Sequence, residues 1–183
     1  MKLHIILLSI AFSVSAFFPA SALAGPDDFG PGPLIEEFGQ IAPVDVDMPI
    51  PVGTEFRVAF DLVDQAEAGS LNRGLISAAR FLNMHVANGV PAENLHLAVV
   101  VHGGAVQDVT NNAHYFSMTG ENSANTALID ALRAHGVAVY VCGQSAAYYD
   151  VSNDDLHTGV NMALSAMTAH ALLQQDGYTL NPF

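Results

Sequence analysis

The segment Leu95–Val101 does most to limit what this chain can fold into. It reads LHLAVVV, an almost unbroken apolar run that is rich in valine. Such a run is typical of a strand whose two faces are both buried, as in a parallel sheet that carries helices on either side. A second apolar strand is predicted at 137–141, and the alternating residues of 56–62 predict a third. The sequence therefore favours a parallel sheet at the centre of the protein.

Helical patterns separate these strands. Apolar residues recur at helical spacing between 71 and 86, where Ser70 is the expected N-cap residue. They recur again between 124 and 132, where Gly136 is the expected stop. Each predicted strand is thus followed by a predicted helix, which is the order that parallel strands need for their connections.

The last third of the chain continues this order. A fourth strand is predicted at 160–164, and a helix capped by Ser165 is predicted to run to Asp176. The alternative for residues 159–166 is the start of one long helix. An edge strand is predicted at 178–181. Residues 105–121 are polar and give no clear pattern beyond a short helix at their start. Strands that alternate with helices predict an α/β fold with a parallel, three-layer arrangement.

The beginning of the chain has the pattern of a secretory signal peptide. Lys2 precedes an apolar run over 5–18, and the small residues Ala22 and Ala24 form a cleavage site. The apolar run is shorter than the ~20 residues that a membrane-spanning helix needs. We therefore expect residues 1–24 to be removed and the protein to be periplasmic or secreted, with no membrane attachment after cleavage.

The next segment, 25–53, differs in composition from the rest of the chain. It holds six of the nine prolines and six acidic residues, and it has no basic residue. Because proline removes a hydrogen-bond donor and blocks helix formation, this segment is predicted to be an extended, acidic leader that lies against the domain or against a partner. The domain itself is expected to span 54–183.

The charge of the exported chain excludes one class of partner. Beyond residue 24 it has 18 acidic residues and four arginines, which give a net charge of −14. Such a surface repels phosphate backbones, so nucleic-acid binding is not expected.

Cys142 is the only cysteine and the first candidate for chemistry. It follows the predicted strand 137–141 and precedes a short predicted helix at 144–148. Ligand sites in open α/β sheets lie at this end of the strands, and a thiol at a helix N-terminus has its pKa lowered. The alternative is a buried thiol that serves only as a small core residue.

His102 is the second candidate because it also ends a predicted strand. If the strands 95–101 and 137–141 are neighbours, His102 can approach Cys142 and share its proton. The flanking residues are expected to bind a ligand; they are Gly103, Gly104, Gly143 and Gln144. The alternative for His102 is a histidine hydrogen-bonded within a turn.

The histidines offer a weaker case for a metal. No two have a close metal-binding spacing, and the chain has no cysteine pair. A zinc site would need ligands from distant loops, such as His102, His114, His157 and Cys142. We expect no metal and no cofactor.

Taken in order, four stretches of the chain resemble the DsrE/DsrF-like family over residues 54–183. They are LNRGL with SAARFLN at 71–83, AVVVHG at 98–103, GVAVYVCGQ at 136–144, and ALSAMT at 163–168 with residues 172–183. The resemblance implies a three-layer fold with a mainly parallel sheet of about five strands, assembled as a homo-oligomer, a trimer or hexamer. It also implies that Cys142 matches the family's sulfur-carrying cysteine, which accepts a sulfur atom as a persulfide and passes it to a partner.

These observations give two hypotheses of different classes. The first is a periplasmic sulfur-handling protein, a sulfurtransferase-like persulfide carrier with Cys142 as the nucleophile, His102 assisting, and donor and acceptor proteins as partners. The second is a non-catalytic binding or assembly module in which Cys142 is part of the core and Tyr148 and Tyr149 contact a neighbouring subunit. The reactivity of the thiol in the folded protein distinguishes them.

Overall fold

The computed structural model describes residues 25–182. The predicted signal peptide lies outside the described residues. The helices and strands, in chain order, are β1 Phe56–Leu62, α1 Arg73–Ala87, β2 Leu95–Val101, α2 Asn112–Thr119, α3 Asn125–Ala134, β3 Ala138–Cys142, α4 Gly143–Tyr148, β4 Asn161–Ala163, α5 Ala166–Gln175 and β5 Thr179–Asn181. None of these helices is both long enough and apolar enough to cross a membrane.

The five strands form one sheet in the order β4-β3-β2-β1-β5, and every neighbouring pair is parallel. The predicted α/β fold with its parallel sheet is therefore confirmed. β2 lies between β1 and β3, so the strands that end at His102 and Cys142 are neighbours, which was the condition for His102 to approach Cys142. The two edge strands, β4 and β5, have only three residues each.

Side-chain alternation along the strands divides the core between the two faces of the sheet. Val99 and Val101 belong to the large cluster that packs against α1 and α3. Val100 points to the other face, where it packs with Ala166 and Ala169 of α5. Helices thus cover both faces, which is why β2 is apolar at almost every position.

The N-cap of α1 differs from the prediction. Asn72, and not Ser70, caps the helix: its side chain accepts hydrogen bonds from the backbone N–H groups of Gly74 and Leu75. Asn72 is also held by a partner from outside the helix, because its own N–H donates to Asn125. The predicted cap of α5 is confirmed, since the side chain of Ser165 accepts from the N–H of Thr168.

Residues 30–41 of the proline-rich leader form a strap that packs against α1. The strap turns back on itself and is closed by two hydrogen bonds between Gly30 and Ile41. Its Ile35 is 2 % exposed and belongs to the main core. Asn83 of α1, which is fully buried, holds the strap through hydrogen bonds to its backbone. The leader is thus part of the same packed unit as the sheet.

Candidate functional site

A cavity of about 340 Å³ opens at the carboxyl ends of the strands, between the sheet and α5. Its lining residues come from three strand ends and from the starts of two helices: Asp61, His102, Cys142, Gln144, Ser165, Ala166, Met167 and His170. Its volume is at the lower end of the range found for small-molecule sites. The cavity brings together both predicted catalytic residues, Cys142 and His102.

Strand alternation explains why these side chains meet. On β1, Phe60 and Leu62 point into the main core, so Asp61 between them points to the α5 side. Cys142 belongs to the cluster on the α5 side. His102 has the same parity as Val100, which also faces α5. Since the strands are parallel, all three side chains reach the same edge of the sheet on the same face.

Cys142 is the last residue of β3 and the N-cap of α4. It is 6 % exposed and forms no disulfide. Burial raises the pKa of its thiol, but hydrogen bonds from the Ser145 hydroxyl and from backbone N–H groups outweigh burial, so the pKa lies below its ordinary value. These N–H groups belong to Ser145, Ala166 and Gln144. The surroundings of Cys142 therefore favour the thiolate, the nucleophilic form.

His102 and a second histidine both form a hydrogen bond with Asp61 in the cavity. The Nε2 atom of His102 lies 3.1 Å from Oδ1 of Asp61, and Nε2 of His170 on α5 lies 2.8 Å from the same oxygen. One carboxylate oxygen thus accepts hydrogen bonds from two imidazole rings. A base held by a third group is the arrangement that activates nucleophiles in many enzymes.

Of the four residues predicted to bind a ligand, one lines the cavity and three lie behind its lining. Gln144 lines the cavity, and its amide donates to the carbonyl of Leu164. The N–H of Gly103 donates to Oγ of Ser145, so this donor is occupied within the protein. Gly104 lies against Gln65, and Gly143 lies against the carbonyl of Ala163. Gly103, Gly104 and Gly143 do not line the cavity. At each of these positions another part of the chain lies close to the backbone and leaves little room for a side chain.

The histidines considered for a distant zinc site do not gather. His114 pairs with Asp155 at 3.1 Å, and His157 lies 3.5 Å from Asp130. Neither lines the Cys142 cavity. Within residues 25–182, no three His, Cys, Asp or Glu side chains are grouped in a way that could hold a metal ion.

A larger depression of about 800 Å³ adjoins this site and shares Asp61 with it. It lies between the end of β1 and the start of α1, under residues 63–72. The charged residues that line it besides Asp61 are Asp64, Glu67 and Arg73. Asp61 therefore lies between two surface openings and is the residue that joins them.

Asp61 and His170 were not predicted as site residues. Asp61 carried a signal in the sequence, because it is an acidic residue on the polar side of an alternating strand, one position before that strand ends. His170 carried none, since it is separated from Asp61 by 109 positions and lies on a helix that shows ordinary composition.

Residues 57–182 match the model of the DsrE/DsrF-like family. Among solved structures, the chain is similar to the protein of unknown function MTH1491 from Methanobacterium thermoautotrophicum, with 18 % identity and a TM-score of 0.54, over 70 % of this chain and 100 % of the other. It is also similar to the ychN protein from E. coli, with 16 % identity and a TM-score of 0.52, over 70 % and 99 % of the two chains. At these identities the likeness shows the fold. Comparison with curated proteins found no match.

Proposed function

The chain belongs to the DsrE/DsrF-like family, which is generally related to sulfur relay, and from this premise we propose that it is a periplasmic persulfide carrier. The observation that carries the proposal is the position of Cys142. Its thiol lines a cavity together with His102, and its hydrogen bonds lower its pKa.

The proposed step is a transfer of one sulfur atom. The Cys142 thiolate attacks the outer sulfur of a donor persulfide, R–S–SH, and a new S–S bond forms at Cys142. The S–S bond of the donor breaks, and its electron pair leaves with the inner sulfur as R–S⁻. His102 lies in the cavity to supply a proton to this leaving thiolate. The step needs no external oxidant or reductant, since the sulfur moves at constant oxidation level.

The test combines two measurements on the folded protein without residues 1–24. The first is the rate of alkylation by iodoacetamide against pH, and the second is intact mass before and after incubation with a persulfide donor. Cys142→Ser is the control. We expect a thiolate that titrates below the ordinary range of cysteine, about 8.5, and a gain of one sulfur atom that the control does not show. A thiol that reacts only after unfolding would contradict the proposal.

The competing hypothesis, an assembly module, is favoured by one observation. Three apolar side chains of the elements around the cavity are exposed: Tyr148 at the end of α4 at 81 %, Leu164 between β4 and α5 at 73 %, and Met167 of α5 at 79 %. A contiguous exposed apolar surface marks a protein contact, and in this hypothesis these side chains form one. We propose that the protein is a homo-oligomer, a trimer or hexamer. Light scattering of the purified chain tests this, and a monomer at micromolar concentration would contradict it.

Export is also a proposal. If residues 1–24 form a signal peptide, the protein recovered from the periplasm of an expressing bacterium begins at Gly25. N-terminal sequencing of that fraction checks the cleavage site. Recovery of the full chain from the cytosol alone would contradict both the cleavage and the periplasmic location.

A further inference from the structure

We propose that Asp61 and His170 are positioning residues for His102, and that His102 is the group that exchanges a proton with Cys142. In this arrangement His170 fixes the carboxylate of Asp61, and Asp61 orients the ring of His102 in the cavity. The inference rests on the proposed function in that it takes Cys142 as the reacting thiol. It concerns proton exchange, however, and its test does not depend on sulfur transfer.

The two hydrogen bonds to Asp61 run in the same direction. An ionised carboxylate only accepts, so Nε2 of His102 and Nε2 of His170 both donate to Oδ1 of Asp61. The Nδ1 atom of each ring is then the atom that can take up or release a proton. Asp61 thereby selects the tautomer of both rings, as the carboxylate does in a hydrolase triad.

The two imidazole rings differ in their burial. The side chain of His170 is 14 % exposed, and its Nδ1 atom is buried without a hydrogen-bond partner among the described residues. A proton on that atom would leave a buried donor unpaired and a charge poorly solvated, which costs free energy. The side chain of His102 is 29 % exposed. His102 is therefore the ring with access to the cavity, and His170 is the more buried ring that holds Asp61.

Charged groups face Asp61 and His102 from the cavity and from the adjoining depression. The titratable groups that line the cavity are Asp61, His102, Cys142 and His170. On the far side of Asp61, the adjoining depression carries two carboxylates and one guanidinium, from Asp64, Glu67 and Arg73. α4 presents the uncharged Gln144 to the cavity, and no titratable residue of β4 or β5 lines it. Among the residues that line the cavity, Asp61 is therefore the carboxylate that can hold His102.

Two donors hold the carboxylate of Asp61 more firmly than one donor would. A carboxylate at a strand end can rotate about its side-chain bonds, and one hydrogen bond from a half-exposed histidine does not fix it. The bond from His170 comes from α5, on the opposite side of the cavity from β2, and is the shorter of the two. Together the two bonds hold the carboxylate between the sheet and the helix.

The test measures the pH profile of iodoacetamide alkylation at Cys142 in single and double variants. In Asp61→Asn the alkylation rate at pH 7 is expected to fall by about tenfold, the order expected when a charge-assisted hydrogen bond is lost. In His170→Leu it is expected to fall by about threefold, as one of the two donors is lost. In His170→Gln, which keeps an amide donor, the rate is expected to stay close to that of the wild type.

The decisive comparison is made in the His102→Gln background. If Asp61 acts through His102, the Asp61→Asn change has no further effect once His102 is replaced, so the two effects are strongly non-additive. Additive effects, or a His170→Gln variant as slow as His170→Leu, would overturn the proposal. His135→Gln, an exposed histidine after α3, is the matched control and should leave the profile unchanged.

These outcomes separate the inference from the proposed function. Non-additive alkylation rates without any gain of sulfur would keep the positioning role and remove the persulfide carrier. A gain of sulfur with additive rates would keep the carrier and remove the positioning role. Near-UV circular dichroism of each variant confirms that the rates refer to folded protein.

Discussion

The backbone N–H of Gly103 donates a hydrogen bond to Oγ of Ser145, and the two atoms are 3.1 Å apart. Ser145 in turn donates its hydroxyl hydrogen to the thiol of Cys142, which lowers the pKa of that thiol against the opposing effect of burial. The end of β2 and the start of α4 are thus connected through one hydroxyl group. Because the N–H polarises the hydroxyl that donates to the sulfur, the two hydrogen bonds support each other.

Replacing Ser145 by alanine is therefore expected to raise the pKa of Cys142. Hydrogen bonds to charged groups contribute about 1.5–3 kcal/mol, so iodoacetamide alkylation at pH 7 should slow by about tenfold. The full pH profile, measured on folded protein, distinguishes a raised pKa from blocked access. Ser117→Ala on α2, where the hydroxyl bonds only to a helix carbonyl, is the control and should leave the rate unchanged. An unchanged profile in Ser145→Ala would contradict the role of this hydroxyl.

The second prediction concerns Gly143 and the shape of the site. A Cβ atom at this position would lie 2.8 Å from the backbone carbonyl oxygen of Ala163, and a backbone atom at the end of β4 has little room to move. Gly143→Ala is expected to destabilise the protein by about 1–3 kcal/mol and to alter Cys142 alkylation, because α4 must shift. Urea denaturation gives the first quantity. Gly30→Ala, where a Cβ would meet no atom within 4 Å, is the control.

The three central strands were predictable from the sequence because each carries a strong local signal. β1 alternates, β2 is apolar at almost every position, and β3 is a short apolar run followed by Gly143. The signal for β4 was weak, because residues 159–166 also fitted the start of a long helix. The helix α2 was not predicted, because Tyr115 is its only buried residue, so its sequence shows no apolar stripe. Ser70 was a reasonable N-cap by composition. Asn72 takes the position since its backbone and side chain also bond to Asn125 and Asp108, which are far away in the sequence.

The site residues also divide into those with a local sequence signal and those placed by contacts between distant residues. Cys142 and His102 were predictable because parallel strands place their carboxyl ends at one edge, a rule that needs no knowledge of distant contacts. His170 could not be predicted, since its position depends on how α5 crosses the sheet. Gly103 was expected to bind a ligand. The Ser145 hydroxyl occupies its backbone N–H, a contact across 42 positions that local sequence does not encode.

Asn83 gives a third prediction, which concerns the strap of residues 30–41. Its side chain accepts from the N–H groups of Leu34 and Ile35 and donates to three strap carbonyls, at distances of 2.9–3.1 Å. Asn83→Ala would leave these buried groups unpaired. The expected loss of unfolding free energy is about 2–4 kcal/mol, with faster proteolysis within 25–53. Asn88→Ala, at the exposed end of the same helix, should change neither quantity by more than about 1 kcal/mol.

The last prediction concerns His85 and the pH dependence of stability. His85 stacks on the ring of Phe81, with centroids 3.8 Å apart, and meets the edge of Phe56. Burial lowers its pKa below the ordinary value near 6.5, against the opposing hydrogen bond to the Phe81 carbonyl. The folded protein therefore prefers the neutral ring. Its stabilising effect is complete above pH 6.5 and is lost as the pH falls through that value towards the lower pKa of the folded state.

His85→Phe tests this because phenylalanine keeps the aromatic contacts with Phe81 and Phe56 and cannot be protonated. Urea denaturation of the wild type and the variant at pH 7.5 and pH 5.0 gives four unfolding free energies. We expect the variant to lose less stability than the wild type between these pH values, because the unfavourable protonation of a buried imidazole is absent. The exposed His135, replaced by glutamine, should leave the pH dependence as it is. Equal losses in the wild type and in His85→Phe would show that the aromatic stack does not disfavour the charged ring.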